Sequence, residues 1–141
     1  MIGLVVTGHG HFASGLTSSI DLIAGPQKDY VAVDFDGNGT AQLETDLKAA
    51  YEQLAGCEGI IVFSDLAGGS PFKTAAIVGA SNPKIKVLAG TNLPMLCEIA
   101  LARTVIEDLD TLVASALNVG KAGVQEFIMP TLDEPESDEG I

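Results

Sequence analysis

The sequence predicts an α/β fold, an open doubly wound parallel sheet of about four strands with helices on both faces. Short β-branched apolar runs alternate with segments whose apolar residues recur at helical spacing. The run at 60–63 is apolar on both faces, as a central parallel strand is. The runs ending at Val6, Phe63 and Ala89 each lead into a glycine-containing loop. Because parallel strands bring such loops to one edge, we place the functional site there.

The first half of the chain predicts three strands and two helices. Gly25-Pro26 ends the first helix, and the turn-forming residues 36–39 close the second strand. Thr40 is placed to cap the second helix, and Gly56 follows its end. The expected elements are a strand at 2–6, a helix at 12–24, a strand at 30–35, a helix from 40 to about 55 and a strand at 59–63.

The second half predicts further helices around one more strand. Ser70 at the N-cap and Pro71 at the first helical position are typical of a helix start. The expected elements are helices at 70–80, 94–103 and 108–120, a strand at 84–89 and a strand-like segment at 124–129. We therefore expect one domain over residues 1–129. Residues 130–141 are acidic and poor in apolar side chains, which predicts a disordered tail.

Composition excludes several classes of function. The 141 residues carry 19 acidic against 7 basic side chains, a formal net charge of -12. Such a chain lacks the cations that neutralise nucleic-acid phosphates or anionic lipids, so we expect no nucleic-acid partner. It shows neither an apolar run long enough to span a bilayer nor a signal peptide. Cys57 and Cys97 have no metal or redox spacing, so we expect free, mostly buried thiols in a cytoplasmic protein.

His9 is the first candidate for chemistry, because it lies between two glycines at the end of the first apolar run. Glycines let another molecule approach the ring. Asp65 follows the third strand in the same way, so neighbouring strands would let its carboxylate orient the imidazole. One ring nitrogen then keeps its lone pair outward, as a nucleophile requires. The alternatives are a loop histidine without chemistry and an aspartate that caps its own loop.

Gly68-Gly69-Ser70-Pro71 is the second candidate, since free N–H groups at a helix start bind anions. Gly68 and Gly69 would let a phosphate approach, and the Ser70 hydroxyl adds a donor. The turn is neither a Walker loop nor GxGxxG, and it is also a common structural helix start. A histidine, an orienting aspartate and this cradle together suggest phosphoryl relay.

His11 forms a His-x-His pair with His9, which in a hydrolase could hold a metal ion. These are the only two histidines, and no other ligand cluster completes a site, so we expect no metal and assign His11 to the rim of the site. Apolar side chains near the same edge would anchor a protein partner if exposed, or pack in the core if buried. They are Phe12, Leu66, Phe72, Pro94 and Met95.

Three blocks of sequence resemble a known family. They are Ile-Gly-Leu-Val-Val-Thr-Gly-His-Gly at 2–10, Phe-Ser-Asp-Leu-Ala-Gly-Gly-Ser-Pro-Phe at 63–72 and Ala-Gly-Thr-Asn-Leu-Pro-Met-Leu at 89–96. Together with their spacing, which covers about residues 1–129, they resemble the mannose-family enzyme IIA component of the bacterial phosphoenolpyruvate sugar phosphotransferase system. The block ending Gly-Gly-Ser-Pro-Phe is specific to that family.

The resemblance implies a phosphocarrier that needs no cofactor. His9 would accept a phosphoryl group from the carrier protein HPr and pass it to a histidine of the cognate IIB component, which serves the membrane components IIC and IID. Asp65 would orient His9, and Ser70 would lie near the phosphoryl group. The family fold also implies a homodimer that exchanges an antiparallel last strand, here 124–129. The protein would be cytoplasmic and peripherally associated with the transporter through IIB.

The sequence departs from some members at two places, where they carry tryptophan at the position of His11 and within the block matching Leu66-Ala67. Because this chain ends in an acidic tail, we expect its IIB to be a separate chain. A related candidate is the phosphotransfer subunit of dihydroxyacetone kinase, which lacks the Gly-Gly-Ser-Pro-Phe block. The alternatives of another class are a non-catalytic flavodoxin-like module that binds an anion or a regulator, and a metal hydrolase.

Overall fold

A computed structural model describes residues 1–132 as alternating strands and helices. The expected order of four strands and five helices is confirmed, and most ends lie within two residues of those predicted. The elements are β1 Gly3–His9, α1 Phe12–Ala24, β2 Tyr30–Phe35, α2 Ala41–Gln53, β3 Ile60–Ser64, α3 Ser70–Val78, β4 Ile85–Leu88, α4 Leu93–Ala102 and α5 Leu109–Ala122.

The four strands form one parallel sheet in the order β2-β1-β3-β4. Strand β1 therefore lies between β2 and β3, so its carboxyl end has a neighbouring strand end on each side. In register, His9 aligns with Phe35 of β2, and Thr7 aligns with Ser64 of β3. This alignment brings the loops after β1 and β3 to the same edge, as the sequence predicts.

Helices cover both faces of the sheet, which confirms the doubly wound prediction. Alternate residues of β1 face opposite sides, because side chains in a strand point up and down in turn. Val6 belongs to a core cluster with residues of α1, α4 and α5. Val5 belongs to a second cluster with residues of α2 and α3. Both side chains are fully buried, so β1 forms the centre of the molecule.

Arg103 lies at the edge of the sheet formed by the amino ends of the strands, opposite the site. It follows α4 and is only 2% exposed, yet no carboxylate pairs with it among residues 1–132. Its guanidinium instead donates to the carbonyls of Ile2, Lys28 and Asp29 and to the side-chain oxygen of Gln27. These hydrogen bonds replace the lost hydration of the buried cation and tie α4 to the start of β1.

Three local predictions need correction. Gly69, not Ser70, is the N-cap of α3, because its extended backbone precedes the first helical residue (φ −73°, ψ 165°). Thr40 lies at the N-cap of α2 but makes no side-chain capping hydrogen bond, since its backbone is already helical. The thiols of Cys57 and Cys97 are free as expected, but both are half-buried.

The C-terminal segment differs from the rest of the chain. Residues 124–129 adopt no strand within this chain, and Val124, Phe127, Ile128 and Met129 are 74–80% exposed. Whether they pair with a second copy stays a prediction. Most of the predicted acidic tail, residues 133–141, lies outside the described residues.

Candidate functional site

His9 is the last residue of β1, so the strand presents its imidazole at the carboxyl edge of the sheet. The side chain is 46% exposed. Its ring meets the edge of Phe35 from β2, with the ring centres 5.6 Å apart. Gly10 follows with φ +58°, the left-handed conformation that glycine adopts at no steric cost, and the chain turns there towards α1. Ring packing on one side and a tight turn on the other hold the imidazole at the surface.

The structure brings Asp65 to His9 as the sequence predicts. One carboxylate oxygen, Oδ2, accepts from the His9 backbone N–H at 2.8 Å and from the ring nitrogen Nδ1 at 2.7 Å. The other oxygen accepts from the backbone N–H of Leu66 at 2.8 Å. Because a carboxylate only accepts, the proton shared with it belongs to Nδ1. The other ring nitrogen, Nε2, is therefore the one with a free lone pair.

Asp65 is held ionised by these partners. Burial of the carboxyl by itself raises its pKa, and the hydrogen bonds from the His9 N–H, the His9 ring and the Leu66 N–H more than reverse that effect. The net result is a pKa below the usual range for aspartate. A charged Asp65, with only 11% of its side chain exposed, also stabilises positive charge that develops on the imidazole.

Gly69 places the start of α3 against the His9 ring. A Cβ built on Gly69 would lie 2.9 Å from His9 Cε1, a distance that real Cβ atoms do not reach. Only glycine therefore lets the ring pack this closely on the helix N-terminus. Cε1 lies between the two ring nitrogens, so the free nitrogen Nε2 is one bond away from the ring atom nearest the start of α3. Gly68 precedes it with φ +81° and open space around it.

The first turn of α3 presents unused hydrogen-bond donors. Within residues 1–132, no acceptor binds the backbone N–H of Ser70 or Phe72, and the first helical N–H to be used is that of Lys73, which binds Gly69 O. Pro71 has no N–H and is buried. Free N–H groups and the positive end of the helix dipole attract an anion. The predicted cradle of Gly68, Gly69 and Ser70 therefore adjoins the histidine.

Gly8 serves packing rather than access. A Cβ on Gly8 would lie 2.4 Å from the ring of Phe12, so only glycine lets α1 begin directly over the end of β1. Of the two glycines beside the histidine, only Gly10 has open space around it. The expectation that both glycines open the ring to another molecule is wrong for Gly8.

His11 lies beside a second carboxylate that the sequence analysis did not single out. Asp34, near the end of β2, accepts from the Ser14 N–H at 2.9 Å and from the Ser14 hydroxyl at 2.6 Å. His11 Nδ1 lies 3.4 Å from the same carboxylate, and its side chain is 94% exposed. No motif marked Asp34. The signal available was its position at the end of a strand, beside the strand that carries His9.

The candidate rim residues separate into exposed and buried ones. Leu66 is 63% exposed, Pro94 is exposed, and Phe12 is half-buried over Gly8. Met95, in the first turn of α4, is only 2% exposed and packs in the core. Its assignment to the docking rim is wrong, because Met95 points inward from the first turn of the helix. Phe72 is half-buried.

An open depression of about 440 Å³ lies beside the His9 turn, between the end of β2 and the start of α2. Its polar lining includes His11, Asp34, Asp36 and Asp46.

Among the described residues, no group of three or more histidine, cysteine or acidic side chains is placed to hold a metal ion.

The fold and the site define a class: an open-sheet α/β protein whose site is an imidazole–carboxylate pair beside a helix N-terminus. The sequence profile of the family described as "PTS system fructose IIA component" matches residues 3–117. The chain belongs to this family, the mannose-type IIA components of the phosphotransferase system. Membership marks the chain as a component of a phosphotransferase system.

Individual relatives agree with the family. The chain is 32% identical over 125 residues to the mannose-specific EIIAB component of Escherichia coli, a match covering 88% of this chain and 39% of that protein. It is 31% identical over 104 residues to the fructose-specific EIIA component of Bacillus subtilis, covering 73% of this chain and 71% of the relative. The chain thus spans well under half of the longer relative.

Solved structures match over nearly their whole length. An EIIA component from Streptococcus agalactiae superposes with a TM-score of 0.78 at 33% identity, covering 89% of this chain and 97% of the other. A mannose/sorbose-specific IIA subunit from Enterococcus faecalis gives 0.83 at 29% identity, covering 92% and 97%. Within residues 1–132, no helix combines the length and apolar character needed to cross a membrane.

Proposed function

We propose that this protein is a phosphohistidine carrier of a sugar phosphotransferase system. His9 Nε2 accepts the phosphoryl group of phospho-HPr and passes it to a histidine of the cognate IIB component. In the first step the bond between phosphorus and the donor nitrogen breaks as a new bond to Nε2 forms. The donor supplies the activated group, so the chain itself needs neither cofactor nor metal.

The observation that carries the proposal is the pairing of His9 Nδ1 with Asp65 at 2.7 Å. It fixes the proton on Nδ1 and leaves Nε2 as the nucleophile. The backbone hydrogen bond from His9 N–H to the same carboxylate fixes the ring relative to the strand. Oriented nucleophiles of this kind lower the barrier mainly by positioning.

The start of α3 supplies the second requirement, which is stabilisation of the transferred anion. The free N–H groups of Ser70 and Phe72 lie at the helix end against which the His9 ring packs. In the proposed mechanism these N–H groups donate to the phosphoryl oxygens, and the Ser70 hydroxyl is a further donor. Gly68 and Gly69 carry no Cβ that would obstruct the group.

The decisive test is the intact mass after incubation with phosphoenolpyruvate, enzyme I and HPr. We expect a gain of one acid-labile phosphoryl group in the wild type and in His11→Ala, and no gain in His9→Ala. His11→Ala is the matched control, because it removes the other histidine of the chain from the same loop. No gain in the wild type, with HPr shown to be phosphorylated, would instead favour a non-catalytic anion-binding module.

The proposal includes a homodimer and a place at the membrane transporter. Within residues 1–132, β4 pairs only with β3, so its other edge is free to accept a strand. The segment after α5 exposes the apolar side chains of Val124, Phe127, Ile128 and Met129. Exchange of residues 124–129 with a second copy would cover these side chains and the free edge of β4. We expect a dimer by light scattering, and a monomer after deletion of residues 124–141. The dimer would act in the cytoplasm and reach IIC and IID through IIB.

A further inference from the structure

Thr7 carries a buried hydroxyl that the chain leaves without a partner. Among the described residues, three buried side-chain polar atoms have no hydrogen-bond partner: Thr7 Oγ1, Thr91 Oγ1 and Arg103 Nε. Thr7 is fully buried. A buried hydroxyl without a partner destabilises the folded protein relative to a methyl group of the same size. Valine at this position would therefore give the more stable fold.

The position of Thr7 connects it to the phosphoryl site. Val5, Thr7 and His9 alternate along β1 and therefore share one face of the sheet. Val5 belongs to the same core cluster as Ala75 of α3, so α3, together with α2, covers this face. His9 lies against the first residue before α3 on the same side. Thr7 therefore lies two residues before His9 on the face of the sheet that carries the His9 ring.

The neighbouring hydroxyl has its own partner. Ser64 aligns with Thr7 in the sheet, and its hydroxyl donates to the carbonyl of Leu88 at 2.5 Å. It is therefore directed towards β4 and away from β1. Within the described residues, Thr7 Oγ1 has no acceptor on its own strand or on the neighbouring strands. The partner of Thr7 must come from another group.

We propose that Thr7 is a positioning residue for phosphoryl transfer, whose hydroxyl gains its hydrogen bond when His9 is phosphorylated. The acceptor is a phosphoryl oxygen, reached directly or through one water molecule held under the first turn of α3. This inference rests on the proposed phosphorylation of His9. A hydrogen bond that forms only in the phosphorylated state favours that state and slows its loss.

The experiment compares Thr7→Val, Thr7→Ser and wild type in phosphorylation by phospho-HPr. We expect Thr7→Val to lower the ratio of phosphorylated to free protein at equilibrium about tenfold, and to shorten the phosphohistidine lifetime. Thr7→Ser keeps the hydroxyl and should restore both to within about threefold of wild type. The free energy of unfolding of unphosphorylated Thr7→Val should equal or exceed that of wild type, because the hydroxyl it loses is unpaired.

Thr91→Val is the matched control, since it removes another buried, unpartnered hydroxyl from a different part of the sheet edge. It should leave the phosphorylation equilibrium unchanged. The proposal is overturned if Thr7→Val keeps the wild-type ratio of phosphorylated to free protein, or if Thr91→Val lowers that ratio as much as Thr7→Val does. It is also overturned if Thr7→Ser fails to restore the ratio. If wild type itself gains no phosphoryl group, the proposed function fails, and this inference fails with it.

Discussion

Two imidazole–carboxylate pairs, whose histidines are two residues apart in the chain, differ in distance, burial and surroundings. His9 Nδ1 lies 2.7 Å from Asp65, whose side chain is 11% exposed. His11 Nδ1 lies 3.4 Å from Asp34, whose side chain is 35% exposed. The His9 ring packs between Phe35 and the start of α3, whereas the His11 side chain is 94% exposed.

The difference shows that a histidine beside an aspartate is not in itself a phosphoryl site. Asp65 accepts two backbone N–H groups, which fix the carboxylate relative to two strand ends. Asp34 instead uses its oxygens mainly for Ser14, at the start of α1. The start of α3, with its free N–H groups and two glycines, adjoins the His9 ring. The second pair lies at the start of α1, where Asp34 itself occupies the helix end by accepting the Ser14 N–H. Fixed geometry and a nearby anion cradle, rather than pairing, distinguish the two histidines.

The largest expected effect comes from breaking the first pair. Asp65→Asn should slow phosphorylation of His9 by at least about 100-fold, because the asparagine amide can donate to Nδ1 and leave the proton on Nε2. Asp34→Asn, the same change in the second pair, should stay within about threefold of wild type. Both rates would be measured by rapid quench from phospho-HPr. Equal losses in the two variants would contradict the distinction between the pairs.

A smaller effect should follow from moving the ring without changing its partners. Gly69→Ala places a methyl group 2.9 Å from His9 Cε1, so the ring or the helix start must shift. We expect about a tenfold loss in transfer rate with the fold retained.

Gly15→Ala is its control, since it lies in α1 with nothing within 4 Å of the added atom. It should leave transfer unchanged and raise the free energy of unfolding by about 0.5–1 kcal/mol. A normal rate in Gly69→Ala would mean that close packing against α3 is not required.

Local pattern was enough to predict the elements and the first pair, because both depend on signals within one stretch of sequence. Apolar periodicity marks the strands, and His9 ends one strand while Asp65 directly follows another. The second pair was missed because Asp34 meets Ser14 and His11 only when β2 lies beside β1 and Gly10 turns the chain. Met95 was misplaced for a related reason, since the inward face of α4 depends on how α5 packs against it.

The smallest effect tests the two carboxylates through stability in acid. In the folded protein the pKa values of Asp65 and Asp34 both lie below the usual value, which is about 3.9. A lowered folded-state pKa stabilises the protein above the usual value, and this stability is lost as the pH falls through the folded pKa, hence below about pH 4. We therefore expect the free energy of unfolding, measured with urea from pH 7 to pH 3, to fall less steeply in Asp65→Asn than in wild type.

Asp34→Asn should show a smaller change, because the Asp34 carboxylate is more exposed and accepts from the backbone of one residue rather than two. An acid dependence in Asp65→Asn identical to that of wild type would show that the hydrogen bonds to Asp65 contribute no stability, and the fixed geometry inferred for His9 would lose its support.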